Sequence, residues 1–408
     1  MATATDSVSI FAEGTFEEQI LELLSYTVRT KSDEERASFV APFQNALKTA
    51  EGKKPIEEDE PRRKLILSKL LADVKGLGDG TEREIEGFFN LLFAHLFAIH
   101  SADSPEAKQY LIALVNAISS SPDDQLHVKY RILSNLFNLL PRNSSQRPLV
   151  YRSLLSIASA NENLDVLELS KTDVEQWLSE WDISSEEKAS FLKAIVDAYG
   201  AVNQHPLSYE YAILYVQNLS PSTPEAKNAA TELVATALRL PTVFNFDPLF
   251  KLDAVLAIKG HPLFSLLQIF LSGGLTEYTT WLSSHQQVPE QHQIPVSELE
   301  RKIRLLSLAS LACQYVGQQL PYNKIAEALQ IATSDVEKWV IDVIRAGLVW
   351  GKLSQTTQSL HITRATTRTF GNEQWQALER RLLSWKSGLA GILDVVANAK
   401  RQGGIVSA

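Results

Sequence analysis

PYNKIAEALQIATSDVEKWVIDVIRAGLVWGKLSQTTQSLHITRATT, residues 321–367, decides the fold class of this chain. Residues 322–331 set Ile325, Ala328 and Leu329 on one face at helical spacing. Ser334 followed three residues later by Glu337 has the capping-box spacing, so a second helix is expected to start there. Within it Val336, Trp339, Val340, Val343, Ile344 and Leu348 recur every few residues, which puts Trp339 and Val340 in the core. Residues 348–353 and 359–363 then alternate around Gln355-Thr356-Thr357-Gln358, the pattern of two short strands and a turn. Helix, turn, helix and hairpin make a winged helix. The outward positions of the second helix hold Asp335, Glu337 and Asp342 against Lys338 and Arg345, a poor match to phosphate. The sequence therefore predicts a winged helix that binds protein.

Helical period also dominates the chain ahead of this segment. Ser32…Glu35, Thr81…Glu84, Thr172…Glu175 and Ser184…Glu187 carry capping-box spacing, and Ser104-Pro105 and Thr223-Pro224 place proline where a first helical turn accepts it. Apolar-periodic stretches follow these starts at 19–28, 85–99, 110–118, 128–140, 149–158 and 191–199, while Gly200, Gly260 and Gly273-Gly274 fall where helices could end. Short polar turns with no strand between them predict stacked helix pairs, an α-solenoid of diverged repeats. Residues 51–61, 76–80 and 286–295 read as loops, the last leading to a long helix at 296–316. The expected class is mainly α: a helical repeat array, a winged helix with a small hairpin wing, and a C-terminal helix.

Composition narrows the function. A chain of 408 residues with 45% hydrophobic residues folds, and its formal net charge of −9 disfavours a general nucleic-acid binder. The single cysteine, Cys313, excludes an internal disulfide and a cysteine-based zinc site; on an apolar helical face it reads as an inert buried thiol. MATATDSVSIFAEG (1–14) has no basic n-region or apolar core and is not read as a secretory signal. No apolar run reaches membrane-spanning length, so the expected location is the cytosol, with the nucleus left open.

No catalytic constellation emerges. Gly76–Gly80 follows a helical segment rather than a strand and lacks a Walker lysine, so it reads as a connector. His95 and His100 point to different helix faces, and His285 and His292 have no ligand partners at metal spacing. Acidic pairs at 17–18, 33–35 and 186–187 lie in first helical turns, where the helix dipole explains them. No catalytic residue, cofactor or metal site is expected.

Trp177 and Trp181 share a helix face and are read as core packing, with partner anchoring as the alternative. Residues 372–400 return to helical period with Trp375, Leu378, Leu382, Trp385, Leu389 and Ile392 along one stripe. That stripe either packs back on the winged helix or bundles with partner helices; both stay open. Arg62-Arg63-Lys64 is read as solvated or paired with 57–60. Arg364, Arg368, Arg380, Arg381, Lys386, Lys400 and Arg401 concentrate bases near the end, read as a solvated helix face, with weak RNA contact as the alternative. Residues 401–408 are expected to fray.

A helical array ending in a winged helix and a C-terminal helix resembles the PCI-domain proteins, scaffold subunits of the proteasome lid, the signalosome and translation initiation factor 3. YRILSNLFNLLP (130–141), DVEQWLSEWD (173–182), DVEKWVIDVIRAGL (335–348) and RTFGNEQWQAL (368–378) are similar to the subunit m family of eukaryotic translation initiation factor 3. The first 120 residues share mainly the helical layout. The resemblance implies a helical array over 1–204, a PCI domain over 205–367 with its winged helix at about 297–367, and a C-terminal helix and tail over 368–408. It implies a noncatalytic scaffold that helps the complex bind the small ribosomal subunit and recruit messenger RNA and initiator tRNA. Partners would be other subunits of that factor, met by the wing edge at 349–363 and by helix 372–400, with the small ribosomal subunit reached through the complex. A scaffold of a signalosome or proteasome-lid assembly is the second reading, and a DNA-binding regulator the third.

Overall fold

The computed structural model describes residues 14–29, 31–48, 54–369 and 371–403. The chain is mainly helical, carries one small sheet, and divides into two compact units between Leu219 and Ser220.

In the first unit most helices stack on neighbours one or two places along the chain, and Phe16–Thr27 packs on Glu82–Ile99, three places along. Glu82–Ile99 packs on Leu126–Leu139, that helix on Arg147–Ala160, and the latter on Ser185–Ala201, which lies against His205–Asn218. Glu82–Ile99 shows why: Ile85, Phe88, Phe89, Leu92, Phe93 and Leu96 recur at helical spacing and are buried. Burying each such side chain contributes about 1.5–3 kcal/mol, so stacking rather than propensity holds the helices. Trp177 and Trp181 stack on each other at 5.8 Å within a cluster of Phe137, Tyr151 and Phe191. They pack between helices.

Side-chain caps set many of the helix starts. Ser32, Thr81 and Ser184 pair with the glutamate three residues on, as their spacing predicts, and Thr15 does the same with Glu18. Ser104 and Thr223 accept from the N–H groups of Ala107 and Ala226. Two expected boxes do not form. Ser170 accepts from the Asp173 N–H at 3.1 Å and starts the Lys171–Glu180 helix ahead of Thr172. After Ala332 the chain makes a single 3-10 turn, Thr333–Asp335, before helix Val336–Arg345, and Glu337 instead accepts the Tyr322 hydroxyl at 3.4 Å.

Helix ends are closed from further along the chain. The last carbonyls of a helix lack intrahelical donors and form the negative end of its dipole, so a cation satisfies both needs. Arg36 donates to the carbonyls of Val28 and Arg29, Arg62 to those of Ala46 and Lys48, Lys129 to those of Ser119 and Ser121, and Arg147 to that of Leu140. In the second unit Lys302 does this for Ala237 and Leu238 at the end of Pro224–Arg239, and Arg368 for Gly273 behind Pro262–Ser272. Arg62 is thus spent on carbonyls, whereas Lys64 pairs with Glu60 at 2.7 Å.

The second unit builds its winged helix on the long helix Val296–Gln314. Strand β1 (Gln319–Pro321) precedes helix Tyr322–Leu329 and helix Val336–Arg345; β2 (Val349–Ser354) and β3 (Ser359–Ala365) form the wing. The sheet is antiparallel in the order β1-β3-β2, with Leu320 and Leu353 both opposite Leu360 and a bulge at Trp350/Gly351. Ile325, Leu329, Val336, Val340 and Val343 are buried beneath it.

Several expectations need correction. Ala328 is exposed and Tyr322 occupies the buried face instead, because at ~3.6 residues per turn the buried arc centres on Tyr322, Ile325 and Leu329 and leaves Ala328 to one side. Trp339 is only half-buried, under the Arg304 guanidinium at 5.4 Å, since the long helix covers one face of its ring. Residues 286–295 contain a short helix, Gln287–Gln291. Cys313 is half-buried rather than sealed, and burial pushes its thiol up in pKa. Of the loop expected at 51–61, residues 51–53 lie outside the described residues and Glu60 already opens helix Glu60–Asp73. The 76–80 connector is held by Tyr26, whose hydroxyl donates to the Leu77 carbonyl at 2.7 Å. The N-terminal segment to residue 13, and the end expected to fray from residue 404 on, lie outside the described residues.

Candidate protein-interaction surface

Asn372–Gly403 is one helix of 32 residues, about 48 Å long at ~1.5 Å per residue. Its stripe is spaced three, four, three, four and three: Trp375, Leu378, Leu382, Trp385, Leu389 and Ile392. An apolar repeat averaging 3.5 residues is the seam of helices that wind around one another. The six side chains are between 39% and 66% exposed, so the seam does not pack back on the winged helix.

The exposed apolar surface is wider than the stripe read from sequence. Val396 extends the seam by four residues, and Leu383, Leu393 and Val395 flank it, all exposed. They escaped because a search for one stripe discards apolar residues beside it. Gly388 and Gly391 lie within this exposed stretch, with no atom within 4 Å of where a Cβ would stand. A glycine inside an exposed helix costs about 1 kcal/mol relative to alanine, and no contact among the described residues accounts for either.

The helix leaves the winged helix at a fixed root. Arg368 donates to the carbonyls of Gly273 at 2.6 Å and Leu306 at 3.1 Å and to the Ser307 hydroxyl at 3.3 Å. Burial lowers its pKa to about 10. Each of its three nitrogens donates there, so it does not join Arg364, Arg380, Arg381 and Lys386 on the surface; the Arg401 side chain lies outside the described residues. A cleft of about 410 Å³ beside this root is lined by Thr242, Asn245, Asp247, Thr366, Thr367 and Arg368 among others.

The acids of helix Val336–Arg345 meet partners within the chain: Asp335 meets Lys338 at 3.3 Å and Asp342 meets Arg301 at 3.8 Å. His95 is buried with its ring edge-on to Phe16, His285 stacks on Trp281, and His261 lies 5.6 Å from His292. Among the described residues no group of three or more metal-ligating side chains converges, and no helix is long and apolar enough to cross a membrane.

A stack of helices that ends in a three-stranded winged helix defines a PCI-type protein, and the PCI domain family model matches residues 280–364. The model described as eIF3 subunit M, C-terminal helix, matches residues 368–396, the segment that carries the bare seam. Eukaryotic translation initiation factor 3 subunit M of Phaeosphaeria nodorum is 33% identical over 97% of this chain and 89% of its own length. The proteins of the same name from Coccidioides immitis and Aspergillus terreus are also 33% identical, over 98% and 97% of this chain and 90% and 88% of their own lengths. The chain belongs to the subunit M family of eukaryotic translation initiation factor 3.

Proposed function

We propose that this chain is a noncatalytic scaffold subunit of translation initiation factor 3, working in the cytoplasm. The carrying observation is the helix Asn372–Gly403, whose apolar seam is exposed at Leu378, Leu382, Trp385, Leu389 and Ile392 among the described residues and coincides with the family's C-terminal helix match. Exposed apolar surface of this extent marks a partner site. Trp375, Leu378, Leu382, Trp385, Leu389 and Ile392 enter a bundle with helices of other subunits, and the wing at 349–363 offers a second contact along its edge. The domain plan proposed with it is an array to 204, a PCI domain over 205–367, and the C-terminal helix and tail over 368–408, although His205–Asn218 lies against Ser185–Ala201 and the compact units divide after Leu219. Through the assembled complex the chain supports binding of the small ribosomal subunit and recruitment of messenger RNA and initiator tRNA.

Affinity purification of the full chain with mass spectrometry of its partners tests the assignment. Truncation after Gly371 tests the surface: it is expected to leave the circular dichroism of the remaining helices intact and to abolish co-purification with initiation-factor subunits. Wild-type recovery of those subunits by the truncated chain would move the attachment to the wing edge. Recovery of a different assembly by the full chain would defeat the reading altogether.

A further inference from the structure

The wing has a solvent face that the scaffold reading leaves unused. Val349, Leu360 and Ile362 point into the core, while the residues alternating with them point out. The register sets Lys352 opposite His361, with Gln319 of β1 on the other side of His361, and Trp350 opposite Arg364. The Arg364 guanidinium lies over the Trp350 ring at 4.6 Å from its centroid. Trp350, Lys352, His361, Thr363 and Arg364 are all exposed. Gly351, at the bulge, lies against the His361 carbonyl, where a Cβ would collide, so the two strands approach closely there.

Charge separates this face from the rest of the protein. The chain has 48 acidic residues, yet none falls between Asp342 and Glu373. That interval carries Arg345, Lys352, Arg364 and Arg368, of which Arg368 is taken up at the helix root.

We propose that the solvent face of the wing, centred on Trp350, Lys352 and Arg364, binds single-stranded RNA. An unpaired base stacks on the exposed indole, and the flanking phosphates meet Arg364 and Lys352. Open sheet faces with an exposed aromatic read unpaired bases in this way, because every base has a face to stack and the backbone supplies the charge. A duplex would instead need the helix Val336–Arg345, whose N-cap Asp335 and whose Glu337 and Asp342 leave it more acidic than basic. The proposal does not depend on the scaffold reading, since it uses the side chains on the solvent face of the wing and not the seam.

Fluorescence anisotropy of a short labelled RNA with the full chain, across a series of salt concentrations, tests this. Trp350→Ala is expected to weaken binding about tenfold, the loss of one base–aromatic stack. Lys352→Gln combined with Arg364→Gln should flatten the slope of log affinity against log salt by about 1.4, two phosphate contacts at ~0.7 each. Lys193→Gln, an exposed charge of the first unit, should change neither. Melting curves of each variant confirm that the fold is retained. The proposal is overturned if the wing variants bind as wild type, if Lys193→Gln loses as much, or if duplex and single strand bind equally. It is also overturned if the wing variants lose capture of another subunit while RNA binding is unchanged, which would make this a protein surface.

Discussion

Arg368 reaches back 95 residues to the carbonyl of Gly273, with Nη1 and the oxygen 2.6 Å apart, and so ties the root of the C-terminal helix to an earlier helix end. Removing the side chain leaves the Gly273 carbonyl and the Ser307 hydroxyl without this donor. Arg368→Ala is expected to cost about 2–4 kcal/mol, the range for losing charged hydrogen bonds at a buried site, and to lower Tm by several degrees. Hydrogen exchange should rise at residues 371–380. A melting curve matching wild type would show that the root holds without it.

Trp339 and Val340 separate by burial. Trp339→Ala loses a half-covered ring and its Arg304 contact, about 1–2 kcal/mol, instead of the ~3–5 kcal/mol of a buried tryptophan. Val340→Ala, fully buried, is expected to cost as much or more, about 2 kcal/mol. Chemical denaturation of the two variants decides it; a far larger loss at Trp339 would place that ring in the core.

Lys302 is buried, and burial pulls its ammonium down to about 7 in the folded chain, against an ordinary value of 10.5. Between those values the unfolded chain holds more protons, so stability rises as pH rises through that window. A neutral amine still has two N–H groups for the carbonyls of Ala237 and Leu238. Lys302→Met should abolish that rise and, by leaving both carbonyls without their donor, cost about 1–3 kcal/mol at pH 7. Equal slopes in urea titrations at pH 7 and 9 for both proteins would rule out the titration.

Acid should loosen the helix starts. The carboxyl of Glu84 is held near 2, well below its ordinary 4.5, chiefly by hydrogen bonding from Arg29 and then from Thr81; Glu35 and Glu187 are lowered by the backbone N–H groups of Ser32 and Ser184. A carboxyl depressed on folding adds stability that is complete above about 4.5 and is lost as pH falls toward its folded value. Denaturation midpoints measured from pH 5 down to 2 should therefore fall, and Glu84→Gln should make the fall shallower. An unaltered slope in that variant would assign the acid sensitivity to other groups.

The seam residues are expected to be silent in the isolated chain. Leu382→Asp and Trp385→Asp change exposed positions and should shift stability by no more than about 0.5 kcal/mol, while co-purification of partner subunits is lost. A large drop in Tm would mean that the helix packs on its own chain.

The helical array, the two helices of the winged helix and the hairpin wing were legible because each repeats a local period. The stripe at 375–392 was legible for the same reason. β1 was not: three residues ending in Pro321 have no period, and they form a strand only because β3 offers an edge. Ser334 and Glu337 have the right spacing, but Tyr322, from a different helix, competes for the carboxylate. The cations that close helix ends escaped altogether, because each belongs to one segment and its carbonyl to another. Exposure of the seam escaped as well: periodicity gives an apolar face, and only the packed chain tells whether anything lies against it.

Those distant closures have a consequence for a chain made from its N-terminus. Arg36, Arg62, Lys129 and Arg147 follow their carbonyls by between 7 and 16 residues, so each early helix receives its closing charge almost as soon as it has been synthesised. Lys302 comes 64 and 65 residues after its carbonyls, and Arg368 comes 95 after Gly273. The first unit can mature turn by turn on the ribosome. In the second, the end of Pro262–Ser272 waits for Arg368, which emerges only after the wing, so that unit sets as a whole.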